Sequence, residues 1–232
     1  MVSKRILTGV IGLALVSLFV VACGTPRIIE HPRPIFTVDA DIFRTISGTQ
    51  QCYSSDLYGG LEPNHPTAYC YIDWESRGNV DQCIRESGGF IHVCEQVMVY
   101  LDDTFQLIGS REKLRDLFAP IESADEALSY ALLATGYSTK YEPEDYRLAV
   151  PGDCDPGPKG YRYYVDTLED THVVEVEGGY QVHLFDSQVF GCGPHPVWSV
   201  IVQVNHDGTI TPDYSRTMLF EEDGHRPMCC VD

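Results

Sequence analysis

Residues 171–185 run THVVEVEGGYQVHLF, and residues 198–205 run WSVIVQVN. The first stretch is two alternating apolar and polar runs joined at Gly178-Gly179. That dipeptide enters a tight hairpin at little cost because glycine tolerates positive φ. In the second stretch Trp198, Val200, Val202 and Val204 share one face of a strand, with Ser199, Gln203 and Asn205 on the other. His206-Asp207-Gly208-Thr209 then supplies a further turn. The spacing predicts one antiparallel meander over residues 161–220. A sheet with one wet face must cover the other, and a helix just upstream can do so.

That helix is well signalled. Ser123-Ala-Asp-Glu126 is a capping box, in which the serine side chain and the glutamate side chain each satisfy an orphan backbone N–H of the first turn. Ala124, Ala127, Leu128, Ala131 and Leu132 recur at helical spacing, and Gly136 stands where a terminating glycine belongs. The prediction is a helix over 124–135 lying close to the sheet through its small alanines. Ser110 and Glu112 open an earlier helix, lined by Leu114, Leu117 and Phe118 and stopped by Pro120. Before it, residues 90–101 predict a strand with Ile91, Val93, Val97, Val99 and Leu101 on one face, broken by Glu95. Asp102-Asp103 turns it into a partner strand at 104–108. Residues 35–89 carry scattered Gly, Ser, Asn and Pro; 79–85 fit one helical turn. The expected fold class is α+β: a helix packed on an antiparallel β-meander (110–232), preceded by a small disulfide-rich β region (35–109).

At the amino terminus Lys4 and Arg5 precede an apolar run from Ile6 to Val21, too short for a comfortable membrane span. It ends Val20-Val21-Ala22-Cys23, which resembles the lipobox of bacterial lipoproteins. The resemblance implies cleavage after residue 22 and a diacylglycerol on Cys23, hence an extracytoplasmic protein held to a bacterial membrane. Gly24 is not the Asp that retains such proteins at an inner membrane, so the outer membrane is implied where there are two. Residues 23–34, rich in proline, then read as an extended tether.

Besides Cys23, eight cysteines remain: Cys52, Cys70, Cys83, Cys94, Cys154, Cys192, Cys229 and Cys230. An even number in an exported chain points to disulfides. Cys52–Cys70 and Cys83–Cys94 are the expected local pairs, since each is close in sequence across turn-rich chain. Cys154 and Cys192 sit in Gly/Pro loops and form a candidate third. That leaves Cys229 with Cys230 by elimination, although adjacent cysteines more readily seek separate partners.

Loss of residues 1–22 removes two cations and no anions, taking the net charge from −18 to −20. Such a charge argues against nucleic acid and against adhesion to anionic head groups. No nucleophile elbow, phosphate-binding glycine loop or His-Glu-x-x-His motif occurs, so no catalytic residue, metal or cofactor is assigned. Cys192-Gly-Pro-His195 resembles the thioredoxin tetrapeptide with its second cysteine replaced, but a strand follows it and not the helix such a thiolate needs. It reads instead as a hairpin loop. Tyr161, Tyr163 and Tyr180, together with the loop ending at His195, are the candidate contact surface for a protein, peptide or glycan, because tyrosine offers rigid area with a polar tip. The acidic loop 142–155 gives the alternative: an envelope hydrolase using carboxylates or a metal held there.

The helix-then-meander order, with its Gly178-Gly179-Tyr180 and Asp207-Gly208 turns, makes residues 123–220 similar to the PepSY and cystatin-like α+β modules. The whole chain resembles uncharacterised bacterial lipoproteins, which implies binding or envelope-associated work more than catalysis. The anchor has a direct test. A Cys23→Ser variant is expected to accumulate as uncleaved precursor and take up no labelled fatty acid; labelling equal to the parent would refute lipidation.

Overall fold

The computed structural model describes residues 26–30, 32–34, 50–73, 83–87, 93–141, 161–188, 195–212 and 216–222. Over these the chain is mostly antiparallel β, with two sheets and two helices. Strands β1 (Arg27–Glu30), β2 (Gln50–Tyr58), β3 (Thr67–Asp73), β4 (Arg85–Ser87), β5 (Val93–Leu101) and β6 (Thr104–Ile108) lead into helices α1 (Arg111–Phe118) and α2 (Ala124–Thr135). Then come β7 (Tyr161–Tyr163), β8 (His172–Val176), β9 (Gly179–Ser187), β10 (His195–Asn205), β11 (Ile210–Pro212) and β12 (Thr217–Glu222). One sheet has seven strands in the order β1-β8-β9-β10-β12-β7, with β11 also on β10; the other has five, β2-β3-β5-β4, with β6 also on β5.

The meander holds through β8, β9 and β10. Val182 pairs with Val173 on one side and Val202 on the other, and Leu184 lies opposite Val200. Gly179 is needed at the turn, since a Cβ there would sit 2.1 Å from the Val204 carbonyl oxygen. After β10 the simple order ends: β11 and β12 both pair with β10, and β7 closes the far edge against β12.

Two expectations are corrected. Residues 27–30 are not tether but strand, with Arg27 opposite Glu175 and Glu30 opposite His172. Ile29 packs on the core from that strand, and this apolar anchor outweighs the extended reading of the prolines around it. Arg85 belongs to β4 and not to a helical turn; residues 79–82 lie outside the described residues. One buried cluster joins Tyr69, Val97, Val99 and Ile108 of the five-stranded sheet to α1, α2 and the inner face of the seven-stranded sheet.

Helix α2 is the centre of that cluster. Every one of its residues except Asp125 is buried, so it is packed on all sides and not on the single face the sequence pattern predicts. It meets β8, β9, β10 and β11 along its length. The capping box forms as expected: the Glu126 N–H donates to Ser123 Oγ at 3.2 Å, and Glu126 Oε2 accepts from the N–H of Glu122 at 2.7 Å and of Ser123 at 2.9 Å. Gly136 ends the helix at φ 66°, and a Cβ there would strike the Tyr69 hydroxyl.

Cys83 and Cys94 are bonded as expected. Cys70 is also in a disulfide, with Cys52 its register partner across β2 and β3. Cys23, Cys154, Cys192, Cys229 and Cys230 lie outside the described residues. The burial of α2 sets a test. Ala131→Asp is expected to lower unfolding free energy by about 3–5 kcal/mol, the cost of an uncompensated buried charge. Asp125→Ala, at the helix's exposed position, is expected to stay within about 1 kcal/mol. Urea denaturation of both variants decides it; parent-like stability of Ala131→Asp would show that α2 is not enclosed.

Candidate functional site

The seven-stranded sheet turns one face to α2 and leaves the other to form a site of its own. On that outer face a second buried cluster, Phe185, Val197, Leu219 and Phe220, is flanked by Tyr161, Val165 and Leu168. Beside it opens a cleft of about 370 Å³ lined by Val165, Thr167, Glu169, His183, Ser199, Ile201, Thr217 and Leu219. Strand register explains the company. Ser199 lies between Phe185 and Thr217, and Ile201 opposite His183, so β9, β10 and β12 present these side chains on one face. The segment 165–169 forms the cleft's other wall. Ile201 is 42% exposed, an apolar side chain on its open side.

At the cleft's edge two imidazoles stack across β8 and β9. His172 and His183 are register partners, with ring centroids 4.7 Å apart and planes 19° from parallel. Nδ1 of His172 lies 2.8 Å and Nδ1 of His183 3.2 Å from the same Asp170 carbonyl oxygen. A carbonyl only accepts, so each Nδ1 carries a proton and donates, which leaves Nε2 of the neutral His183 ring as an acceptor. Burial lowers the His183 pKa below its ordinary value; neighbouring His172 adds to the effect, and the bond to the Asp170 carbonyl opposes it. His183 also meets the edge of the Phe185 ring at 5.1 Å.

Chemically the cleft offers three hydroxyls, one neutral imidazole and one carboxylate over an apolar floor. A nucleophile needs a base within hydrogen-bond reach. Among the described residues no hydrogen bond joins His183 to Ser199, and His183 already spends Nδ1 on Asp170. Nor do three or more His, Cys, Asp or Glu side chains among the described residues converge as metal ligands. The arrangement suits binding a polar-apolar ligand.

A second polar cluster joins the two sheets. Arg85 donates to the carbonyl oxygens of Thr135 and Gly136 at 3.5 and 3.2 Å, and to Asp186 Oδ1 at 3.4 Å. Its guanidinium also lies 3.7 Å from Glu95 Oε2, which accepts from the Tyr69 hydroxyl. Arg216 holds the other Asp186 oxygen at 2.8 Å. Burial works against the charge on Arg85, but Glu95 and Asp186 outweigh it and raise its pKa. The last turn of α2 carries no basic residue of its own, so Arg85 supplies from a distant strand the cation that a helix C-terminus favours. This cluster is a joint.

The tyrosines expected to form one contact surface are split between faces. Tyr180 is buried against the inner core, its hydroxyl donating to the Glu122 carbonyl at 2.8 Å. Tyr161 packs edge-on to Phe220 in the outer cluster. Tyr163 is 56% exposed on the edge strand β7. His195 is buried at the start of β10 and offers no loop surface. The loop 142–155 and residues 189–194 lie outside the described residues. Local sequence pattern does not single out His183, Ser199, Ile201 and Thr217 as a group. The signal available was Ile201, an apolar residue on the face that the alternation of 198–205 assigns to solvent. No known protein family, curated protein or solved structure matches the chain.

The lowered His183 pKa gives a pH prediction. Its unfolded form takes a proton near the ordinary value of 6.5, while the folded form resists until lower pH. The neutral-state contribution is therefore complete above that value and is lost as pH falls through the folded pKa. His183→Gln is expected to show a smaller drop in stability between pH 7.5 and pH 5 than the parent, read by urea unfolding. Equal drops would mean His183 does not titrate against a buried site.

Proposed function

We propose that the protein is a lipid-anchored, extracytoplasmic and non-enzymatic binding protein of the cell envelope that takes its ligand in the outer-face cleft. The observation that carries this reading is the cleft itself. Its volume of about 370 Å³ falls in the ~300–1,000 Å³ range of ligand pockets, and an apolar floor with a few placed polar groups is their usual lining. Ile201 and Leu219 provide an apolar floor and Val165 an apolar wall; Thr167, Ser199, Thr217, His183 and Glu169 provide the polar groups. Glu169 and a net charge of −18 disfavour an anionic ligand. A short peptide or a glycan has the required mixture of surfaces. The lipobox ending at Cys23 supports the anchor and the location. A fully capped helix on a β8-β9-β10 meander supports reading residues 123–220 as an α+β module of the PepSY and cystatin-like kind.

A panel of short peptides and oligosaccharides, titrated into the full-length lipidated protein in detergent and followed by NMR, tests the reading. A true ligand is expected to shift signals from His183, Ser199 and Ile201. Thr217→Trp, which fills the cleft, is expected to weaken it at least tenfold, about 1.4 kcal/mol, with the melting temperature held. The reading fails if a hydrolase screen finds turnover that Thr217→Trp abolishes without loss of stability.

A further inference from the structure

We propose that the end of the seven-stranded sheet formed by the start of β1 and the turns at Gly178 and Gly208 faces the lipid bilayer, and that the far end carrying Gln188 points away from it. The inference rests on the lipidation of Cys23 and adds an orientation that the anchor alone does not give.

Its basis is the docking of β1. Were residues 23–34 a free tether, eleven steps at ~3.1 Å would let the domain swing about 34 Å from the membrane. Arg27–Glu30 are instead hydrogen-bonded to β8. Four residue steps separate Cys23 from Arg27, and at no more than ~3.6 Å each they reach about 14 Å. The lipid-bearing residue therefore lies close to the beginning of β1 whatever path residues 24–26 take.

The register states which end that is. Arg27 lies opposite Glu175, two residues before the turn at Glu177-Gly178. The His206 N–H donates to the Gly178 carbonyl at 3.0 Å, which brings the β10–β11 turn to the same place. The link between the helices joins them there: the Ile121 N–H donates to the His206 carbonyl at 2.9 Å, and the Tyr130 hydroxyl to the Gly208 carbonyl at 2.8 Å. Gln188 stands nine residues from Gly179 along β9, up to about 30 Å at ~3.3 Å per residue. The cleft residues Ser199 and Thr217, in register with Phe185, lie in the half of the sheet toward Gln188.

The side chains at this end fit a lipid surface at short range. Ile28 is 58% exposed beside exposed Arg27, an apolar residue paired with a cation that can meet a lipid phosphate. Exposed Glu122, Glu175, Glu177 and Asp207 lie at the same end of the sheet. Those carboxylates oppose insertion into anionic lipid, so the end stands at the surface on its short stem, and neutral phospholipid is the surface it fits.

The test uses the full lipidated chain in phosphatidylcholine vesicles bearing a head-group energy acceptor. A fluorescent residue replaces Ile28, Asp207 or Gln188 in three separate proteins. Donor emission is expected to be lost to the membrane acceptor at positions 28 and 207 and retained at 188. A flexible Gly-Ser segment inserted between residues 25 and 26 is expected to erase the difference. Failure of the parent to float with the vesicles overturns the anchor and the orientation with it. Flotation with equal loss at all three positions, or greater loss at 188, overturns the orientation alone.

Discussion

Enclosing α2 is the constraint on which the rest of this structure depends. A helix buried on all sides has no water to satisfy its terminal N–H and C=O groups, and each orphan left in the core costs on the order of 1–3 kcal/mol. Both ends are therefore answered from within. Ser123 and Glu126 close the amino end. At the carboxyl end the Gly136 N–H returns to the Leu132 carbonyl, and Arg85 reaches the carbonyls of residues 135 and 136. Arg85 must then be neutralised, which Glu95 and Asp186 do, one from each sheet. The burial of one helix thus dictates a bridge between the sheets. The Cys83–Cys94 disulfide helps hold that bridge, because it ties the chain two residues ahead of Arg85 and β4 to β5.

Much of this is visible in the chain before folding, and the missing parts share a physical cause. The capping box, Gly136 and the alternation of 180–185 and 198–205 are local signals, and each describes the element it predicts. Glu95 was also visible, as the residue that interrupts an otherwise apolar face. Its meaning was not, because its partners Tyr69 and Arg85 come from other strands. The enclosure of α2 escaped for a related reason. Alanines at 124, 127, 131 and 134 and leucines at 128, 132 and 133 cover more than one stripe, but a stripe is what a single covering sheet asks for, and the second sheet lies in a region of weak periodicity. The docking of residues 27–30 escaped because β1 is an edge strand of four residues whose pairing is set by β8, about 145 residues later in the chain.

The two polar clusters differ in a way that bears on what the protein does. In the Arg85 joint, every named oxygen of Glu95 and Asp186 meets a cation or a hydroxyl, and the groups are turned inward between sheets. Such a site is finished by the fold and has nothing to offer a ligand. Around the cleft the polar groups are finished only in part. His172 and His183 commit their Nδ1 atoms to one backbone carbonyl, which holds the rings in a fixed orientation and keeps Nε2 of His183 as an acceptor. Ser199 and Thr217 stand on strand positions whose backbones are already paired, so their hydroxyls are positioned without being used up by the sheet.

The location of that cleft follows from how the two faces of the seven-stranded sheet are covered. The inner face is occupied by α2 along β8 to β11. Among the described residues the outer face is covered toward β12 and β7, where Tyr161, Val165 and Leu168 lie on Phe185, Val197, Leu219 and Phe220. Toward β8 this cover stops, and the face continues as His172, His183 and Ile201. A cleft forms at such an edge because the covering segment supplies one wall and the sheet supplies the floor. Strands with fixed register place the floor residues, while the wall, residues 165–169, lies outside the strands. Strand register thus fixes one side of the cleft, and a loop carried by the same sheet closes the other.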